Sequence, residues 1–439
     1  MIAMSHESLT ERVHPTAPYK WLKGHQPRRD EVRQAIAFVL SQAGTRPVTV
    51  GELWPGCAPH DLRLIPAADG MEVPWTLAST LAIIHDWLLG GLMDRRVFMA
   101  VGGPALTQLA WTAVNTEPAR LAAALNGGQV DATLIEQVEE TIPRLRQLDD
   151  RQGGGGANLT YVNAQFQVVG QLLQTAGHGG QVTRRLLVAL AELGQLAGWM
   201  AADAERHGLA QRYHLTALRA AHNAGDKALC AHVLGAMAYH AASREEPADA
   251  ISLGTAAVEM ARRSPVTVQA LVASRLAYGY AVAGDAGRFH AAYGRARELS
   301  EHLTGHRPRW AYYVRPQMID SVGGYYQVSL GMACSGNSRR HLGNAITLLT
   351  PKATAAPGYP YQRDALLDVT ALALAHLGCG ELEQACEIGR IALGRLPHVN
   401  SPRCLASLGR LADELRGRKV NPHIREFSTE LDRKLRLVA

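Results

Sequence analysis

Small residues recur at regular positions in the C-terminal half of the chain, and this pattern restricts the fold more than any other feature. Residues 371–396 read ALALAHLGCGELEQACEIGRIALGRL, two apolar segments around a Gly-Cys-Gly turn. Ala373, Ala385, Gly389 and Ala392 occupy the positions where two such helices would touch. Only a small side chain lets two helix backbones approach closely, so the segment is predicted to be a helical hairpin.

The same pattern recurs upstream in three further segments. Corresponding positions fall at Ala210, Ala250 and Phe289, which are 40 and 39 residues apart. The wording of these segments resembles tetratricopeptide repeats, whose standard length is about 34 residues, so lengthened helices or turns are expected here. The predicted fold class is therefore all-α, with residues 181–439 forming a tetratricopeptide-like helical solenoid behind a short, truncated helix-turn-helix head.

Length and charge suggest more than one functional part. A chain of 439 residues exceeds one ordinary hydrophobic core. Residues 1–50 contain seven Lys or Arg and four Asp or Glu, so this short segment carries half of the net charge of +6. A basic end on a nearly neutral body is typical of a segment that binds phosphate.

The chain divides into four predicted regions. Residues 1–50 form a partial helix-turn-helix domain, and residues 51–75, rich in proline and glycine, form an irregular linker. Residues 76–180 form a helical connecting region, followed by the repeats at 181–439. The four glycines at 153–156 lack a following Gly-Lys-Ser/Thr, so a flexible loop is expected rather than a phosphate loop. Asp149 and Asp150 just before them are expected to be an exposed pair at a helix end.

Cysteine usage and hydropathy indicate a cytoplasmic protein. The six cysteines show no C-x-x-C spacing and no hydrophobic signal segment opens the chain, so reduced thiols are expected. An uncharged run follows Arg96 but contains Gly102, Gly103 and Pro104. That run is too broken for a membrane span of about 20 apolar residues, so a buried helix and no membrane are predicted.

Residues 16–29, TAPYKWLKGHQPRR, are predicted to form a short helix with a basic exit. Thr16 is suited to cap the helix, and Gly24 to end it. Helical periodicity turns Tyr19 inward and places Lys20 and Lys23 on the outer face.

The spacing of Trp21, Gly24 and Pro27 resembles the recognition helix of XRE-type (lambda-repressor-like) helix-turn-helix domains. Further passages at 36–52, 94–110, 145–155, 196–226 and 371–393 resemble, in the same order, actinobacterial regulators that join such a domain to tetratricopeptide-like repeats. The resemblance implies a transcriptional regulator that binds operator DNA and forms a homodimer. It assigns DNA contacts to Thr16, Tyr19, Lys20, Lys23, His25, Gln26, Arg28 and Arg29.

Two alternatives stay open for this head. Only fifteen residues precede the predicted recognition helix, so either the true start lies further upstream or the domain has been shortened. The basic residues could then be the solvated face of a small helical cap. In that case the chain would be a protein-interaction scaffold with a vestigial head that does not bind DNA.

No catalytic, cofactor or metal site is predicted. The sequence lacks the G-x-S-x-G, H-E-x-x-H and P-loop patterns. His232 and His240, eight residues apart on one predicted helix, would lie about 12 Å apart, too far for one metal ion.

The inner surface of the solenoid is the predicted effector-binding groove, for a peptide, a protein or a small molecule. Its predicted contacts are Arg275, Tyr278, Arg315, Tyr325 and Tyr326. The alternative is that these tyrosines only fill the spaces between helices.

Overall fold

The computed structural model describes residues 74–90, 103–115, 132–175, 180–303, 305, 307–334, 336–353, 359, 361–418 and 420–438. All of them belong to the compact unit Val73–Ala439. The predicted head at 1–50, its DNA-contacting residues and all but the last two residues of the linker lie outside the described residues.

The described residues fold into sixteen α-helices joined by short turns, and no strand occurs in this part of the chain, which confirms the all-α prediction there. The helices are α1 (Leu77–Gly90), α2 (Pro104–Asn115), α3 (Ala132–Gln152), α4 (Gly156–Thr175), α5 (Gly180–Asp203), α6 (His207–Asn223), α7 (Lys227–Ser243), α8 (Pro247–Met260), α9 (Val266–Val282), α10 (Ala286–Glu301), α11 (Pro316–Ala333), α12 (Ser338–Ala353), α13 (Gln362–Cys379), α14 (Leu382–Arg395), α15 (Pro402–Arg416) and α16 (Pro422–Val438).

From α3 onward the helices pair as hairpins, α3 with α4 through α15 with α16. Each odd-numbered helix also contacts the next odd-numbered one, so these helices form one continuous inner layer. The hairpin α3–α4 lies in the region 76–180 that was expected to be a connection, yet it packs on α5 like the later hairpins. The two preceding helices pack on even-numbered ones: α1 contacts α4 and α6, and α2 contacts α8.

Small residues lie at the close contacts between helices, as predicted. Ala250 and Ala385 are almost completely buried. A Cβ on Gly389 would come 2.3 Å from the Phe427 ring, so no larger side chain fits between α14 and α16 there. Gly380 ends α13 with φ of +83°, a left-handed conformation that glycine adopts without strain.

The glycine run before α4 is tightly packed, so the prediction of a flexible loop is wrong. The Gly154 amide donates to Asp203 Oδ2 at 2.9 Å, and the Gly155 amide donates to the Asn400 carbonyl at 3.1 Å. A Cβ on Gly154 would lie 2.6 Å from the Met200 Cα. Gly153, Gly154 and Gly155 are required because the backbone there lies directly against α5 and the segment before α15.

This docking closes the array. Helix α3 contacts α13, and α5 contacts α15, so the first hairpins meet the last ones across the inner layer. The Asn400 amide donates to the Gln152 carbonyl at 2.9 Å, which adds a backbone hydrogen bond to the junction. The inner layer therefore closes into a ring of helices, and the space inside this ring is partly open to solvent.

Hydropathy and thiols agree with a folded helical core. Within the described ranges one helix, α5, is long and apolar enough to cross a membrane, but 78% of its most apolar stretch is buried by other helices. The predicted buried helix after Arg96 is present as α2, where Leu109 and Ala110 are buried. The five described cysteines, Cys230, Cys334, Cys379, Cys386 and Cys404, are free thiols.

Candidate functional site

The closed inner layer surrounds a central cavity of about 490 Å³. Side chains from α3, α5, α7, α9, α11 and α13, and from the segment between α10 and α11, line it. Its arginines are Arg146, Arg275, Arg315 and Arg363, and its carboxylates are Asp149, Asp150, Asp364 and Asp368. The cavity is thus rich in charges of both signs.

A row of aromatic rings crosses one side of this cavity. Trp199 on α5 lies 5.1 Å from Tyr239 on α7, measured between ring centroids, and Tyr239 lies 5.3 Å from Tyr278 on α9. Tyr278 stacks on Tyr326 of α11 at 4.3 Å. Trp199, Tyr239 and Tyr278 are separated by 40 and 39 residues, the spacing of the repeats. The hairpins of α5, α7 and α9 therefore each contribute one ring from the same position.

Three guanidinium groups surround the Trp199 ring. The Cζ atoms of Arg275, Arg403 and Arg363 lie 5.1, 5.4 and 5.8 Å from its centroid. Arg275 also lies 4.4 Å from the Tyr239 centroid. Contacts of this kind are worth about 0.5–2 kcal/mol each, more when solvent is excluded. Trp199 is the point where the cations of α9, α13 and α15 converge.

A buried ion-pair network joins the two ends of the array beside this ring. Arg363 on α13 donates to Asp149 on α3 at 2.8 Å, with side chains only 4% and 5% exposed. Arg403 donates to Asp203 at 3.1 Å, and Ser401 donates to the same carboxylate at 2.9 Å. We name the set Asp149, Asp203, Arg363, Ser401 and Arg403 the closure network.

The prediction that Asp149 and Asp150 are an exposed pair is wrong. Burial raises the pKa of Asp149, and the nearby Arg363 opposes that rise. Asp150 accepts a short hydrogen bond from the Tyr312 hydroxyl, and burial raises its pKa to about 6. A helix end followed by glycines usually faces solvent, but here α13 covers it, and Arg363, which pairs with Asp149, is 214 residues away in sequence.

The structure brings four of the five predicted groove residues to this cavity. Arg275, Arg315, Tyr325 and Tyr326 line it. Tyr278, only 3% exposed, packs behind Tyr326 and does not line it. Four residues of the site were not predicted from the sequence: Trp199, Tyr239, Arg363 and Arg403. The repeat spacing could have identified the first two.

A second space of about 400 Å³ adjoins the cavity and shares Trp199, Tyr239 and Tyr325 with it. His207 and His240 line this space and are hydrogen-bonded through Nδ1 and Nε2 at 3.0 Å. Burial lowers the pKa of His240 well below its ordinary value, so its imidazole is neutral. In the part of the chain that the structure describes, no group of three His, Cys, Asp or Glu side chains is arranged to hold a metal ion.

Comparison with known proteins does not assign a function, so the functional assignment rests on the cavity. No family model and no curated protein matches this chain. The cavity walls present guanidinium groups, carboxylates, phenols and an indole, which together recognise a polar organic molecule by charge, hydrogen bonds and ring contacts. The site is therefore best described as a candidate ligand-binding site.

Proposed function

We propose that this chain is a ligand-controlled transcriptional regulator of the cytoplasm. Residues 181–439, together with the hairpin α3–α4, would act as a tetratricopeptide-like effector domain whose ligand occupies the central cavity. Residues 16–29 would bind operator DNA, with two such segments carried by a homodimer. The cavity inside the ring of helices, with its charged and aromatic walls, is the observation that supports an effector domain.

The size of the cavity and the ring of helices around it favour a small molecule over a polypeptide. Its volume of about 490 Å³ lies within the range of about 300–1,000 Å³ typical of small-molecule sites. An extended peptide needs an open groove, but contacts between α3 and α13 span the inner layer here. The same closure argues against the alternative of a protein-interaction scaffold that would use this surface.

The closure network offers a route from ligand to regulation. Asp149 and Arg363 line the cavity and also hold the first and sixth hairpins together. A ligand that contacts either residue would bind the closed array and a loosened array with different affinities. Such a difference is the requirement for a ligand to shift a conformational equilibrium.

The DNA-binding part of the proposal is supported by sequence alone. The motif at Trp21, Gly24 and Pro27 and the charge of residues 1–50 both favour it. Phosphate contacts by Lys and Arg make affinity fall with salt, with a slope of about −0.9 per contact on a log–log plot.

A gel-shift titration of the full chain against its own upstream DNA tests this proposal. The triple variant Lys20→Ala, Lys23→Ala, Arg28→Ala should bind more weakly and should lower the salt slope by about 3 if each residue contacts one phosphate. Arg262→Ala is the matched control, because the Arg262 side chain is 73% exposed and forms an ion pair with Glu259 one turn earlier on the array. Absence of DNA binding by the unaltered chain, or an unchanged slope in the triple variant, would contradict the regulator hypothesis.

A further inference from the structure

Arg275 is the buried cation of the cavity that no carboxylate of the described residues neutralises. It is 9% exposed, and no Asp or Glu oxygen among the described residues lies within 4.0 Å of its nitrogens. Arg363, by contrast, pairs with Asp149, and Arg403 pairs with Asp203. Buried charges are normally paired because removing an unpaired charge from water is costly. The position of Arg275 on the cavity wall leaves room for an anion that comes from outside the chain.

Two buried polar groups that have no hydrogen-bond partner in the described part of the chain lie near Arg275. The Tyr326 hydroxyl and His232 Nε2 make no hydrogen bond with any other described residue, although both side chains line the cavity. Tyr326 is completely buried, and His232 is 3% exposed. Buried polar groups are rarely left without partners, so these two also point to a missing acceptor or donor.

The protonation of both groups suits an anionic ligand. Burial raises the pKa of Tyr326, so its hydroxyl keeps the proton and can donate. Burial also lowers the pKa of His232 well below its usual value, and the positive charges of Arg146 and Arg275 add to that effect. The imidazole is therefore neutral, and Arg275 supplies the positive charge on this side of the cavity.

We propose that the cavity binds a small organic carboxylate, which accepts hydrogen bonds from the Arg275 guanidinium and the Tyr326 hydroxyl. This inference rests on the proposed role of the cavity as an effector site and names the chemical class of the effector. The remainder of the ligand lies among the rings of Tyr312, Tyr313 and Tyr325, which line the same space.

A monoanion fits the charges of the cavity better than a phosphate does. The walls carry four aspartates and four arginines, and three of those arginines are accounted for. Arg363 pairs with Asp149, Arg146 lies 3.4 Å from Glu192, and Arg315 is exposed to solvent. One planar guanidinium matches one carboxylate in charge and in bidentate geometry. A dianionic phosphate would add a second negative charge among the aspartates.

Binding of matched probes to the full chain tests this inference. The probes are benzoate and 4-hydroxybenzoate, their amides, and phenyl phosphate, measured by ligand-observed NMR and calorimetry. We expect each carboxylate to bind at least about tenfold more tightly than its amide, because a charge-assisted hydrogen bond distinguishes the two. Arg275→Met should reduce carboxylate binding to the level of the amide, whereas the exposed-residue control Arg262→Met should not change it.

Two further variants separate the possible failures. Val322 lines the cavity, so Val322→Trp should fill it and abolish binding of every probe. If Val322→Trp removes binding but amides and carboxylates bind equally, the carboxylate inference fails while the cavity remains the ligand site. If binding persists in Val322→Trp, the cavity is not the site and the proposed effector domain fails with it.

The remaining outcomes also decide the matter. Tighter binding of phenyl phosphate than of benzoate overturns the choice of carboxylate. Absence of binding by every carboxylate up to about 10 mM, which corresponds to an affinity weaker than about −3 kcal/mol, overturns it as well. If circular dichroism shows that Arg275→Met does not fold, the inference is tested by comparing carboxylate and amide binding in the unaltered chain and in Arg275→Lys.

Discussion

Replacing Arg363 by methionine should strongly destabilise the array, because it would leave a buried carboxylate without its cation. Methionine keeps most of the aliphatic stem, so the change removes charge and hydrogen bonds more than volume. Two other carboxylates lie near Arg363. Asp364, at 3.2 Å, is 43% exposed and can be solvated, and Asp203 would retain Arg403 at 3.1 Å, Ser401 at 2.9 Å and the Gly154 amide at 2.9 Å. The loss therefore falls mainly on Asp149.

The expected size of the effect follows from the burial of this pair. The side chains of Arg363 and Asp149 are 4% and 5% exposed and lie 2.8 Å apart. Removing one partner of such a pair costs about 3–5 kcal/mol, because the remaining charge stays buried. Loss of the Arg363 contact with the Trp199 ring adds about 0.5–1 kcal/mol. The total is a large part of the 5–15 kcal/mol that stabilises an ordinary domain.

The effect should depend on pH in a defined direction. Arg363 lowers the pKa of Asp149, so its removal raises that pKa further above the model-peptide value of 3.8. A raised folded-state pKa means that the variant regains stability as pH falls and Asp149 takes up a proton. The difference in unfolding free energy between the variant and the unaltered chain should therefore be greatest near about pH 8 and smaller near about pH 5.

Urea unfolding followed by circular dichroism at several pH values measures this deficit. Arg390→Met is the matched control, because Arg390 and Glu430 form a partly exposed pair at 3.3 Å, and such pairs contribute about 0–1 kcal/mol. The double variant Asp149→Leu, Arg363→Met should recover most of the loss, since an apolar pair can replace a buried ion pair. A deficit below about 1 kcal/mol, or one that does not change with pH, would refute the reasoning.

Three further outcomes are expected. Gly154→Ala should lower the free energy of urea unfolding by about 1–3 kcal/mol, because its Cβ would meet the α5 backbone at 2.6 Å. Gly156→Ala, with no atom within 4 Å of its Cβ, should be neutral or slightly stabilising. Equal effects of the two changes would contradict the packing at this turn. Gly389→Ala should lower the unfolding free energy by a similar amount, because its Cβ would clash with the Phe427 ring. Gly394→Ala, which has open space around it, is the control. An unchanged urea midpoint for Gly389→Ala would show that α16 can move away. Asp150→Asn should flatten the pH dependence of the unfolding free energy. Burial raises the pKa of Asp150 from 3.8 to about 6, so its stabilising contribution is present below pH 3.8 and is lost as pH rises through 6. An identical pH profile in the variant would argue against this assignment.

The hairpins could be predicted from sequence because their signal is local. The small residues of each hairpin lie within about 20 positions of one another, and Gly380 marks a turn by its own conformational preference. Placement of Arg275 and Tyr326 on the inner layer followed from the same repeat pattern. The resemblance to XRE-type regulators and the DNA contacts at 16–29 stay predictions.

The closure could not be predicted, because its partners are distant in sequence. Asp149 and Arg363 are separated by 214 residues, and Asp203 and Arg403 by 200. Local patterns around these residues show only a charged helix end and a basic helix start. Which carboxylate meets which guanidinium depends on the accumulated rotation of all the hairpins between them, and a small change in each would separate the pairs.

Closure also limits how this architecture can change in evolution. In an open array, duplication or deletion of one hairpin costs little, since each unit contacts only its neighbours. Here an inserted or deleted hairpin would carry Gly153, Gly154 and Gly155 away from Asn400 and separate Asp149 from Arg363. Diversification of such chains should therefore occur in turn lengths and outer surfaces, while the number of hairpins stays constant.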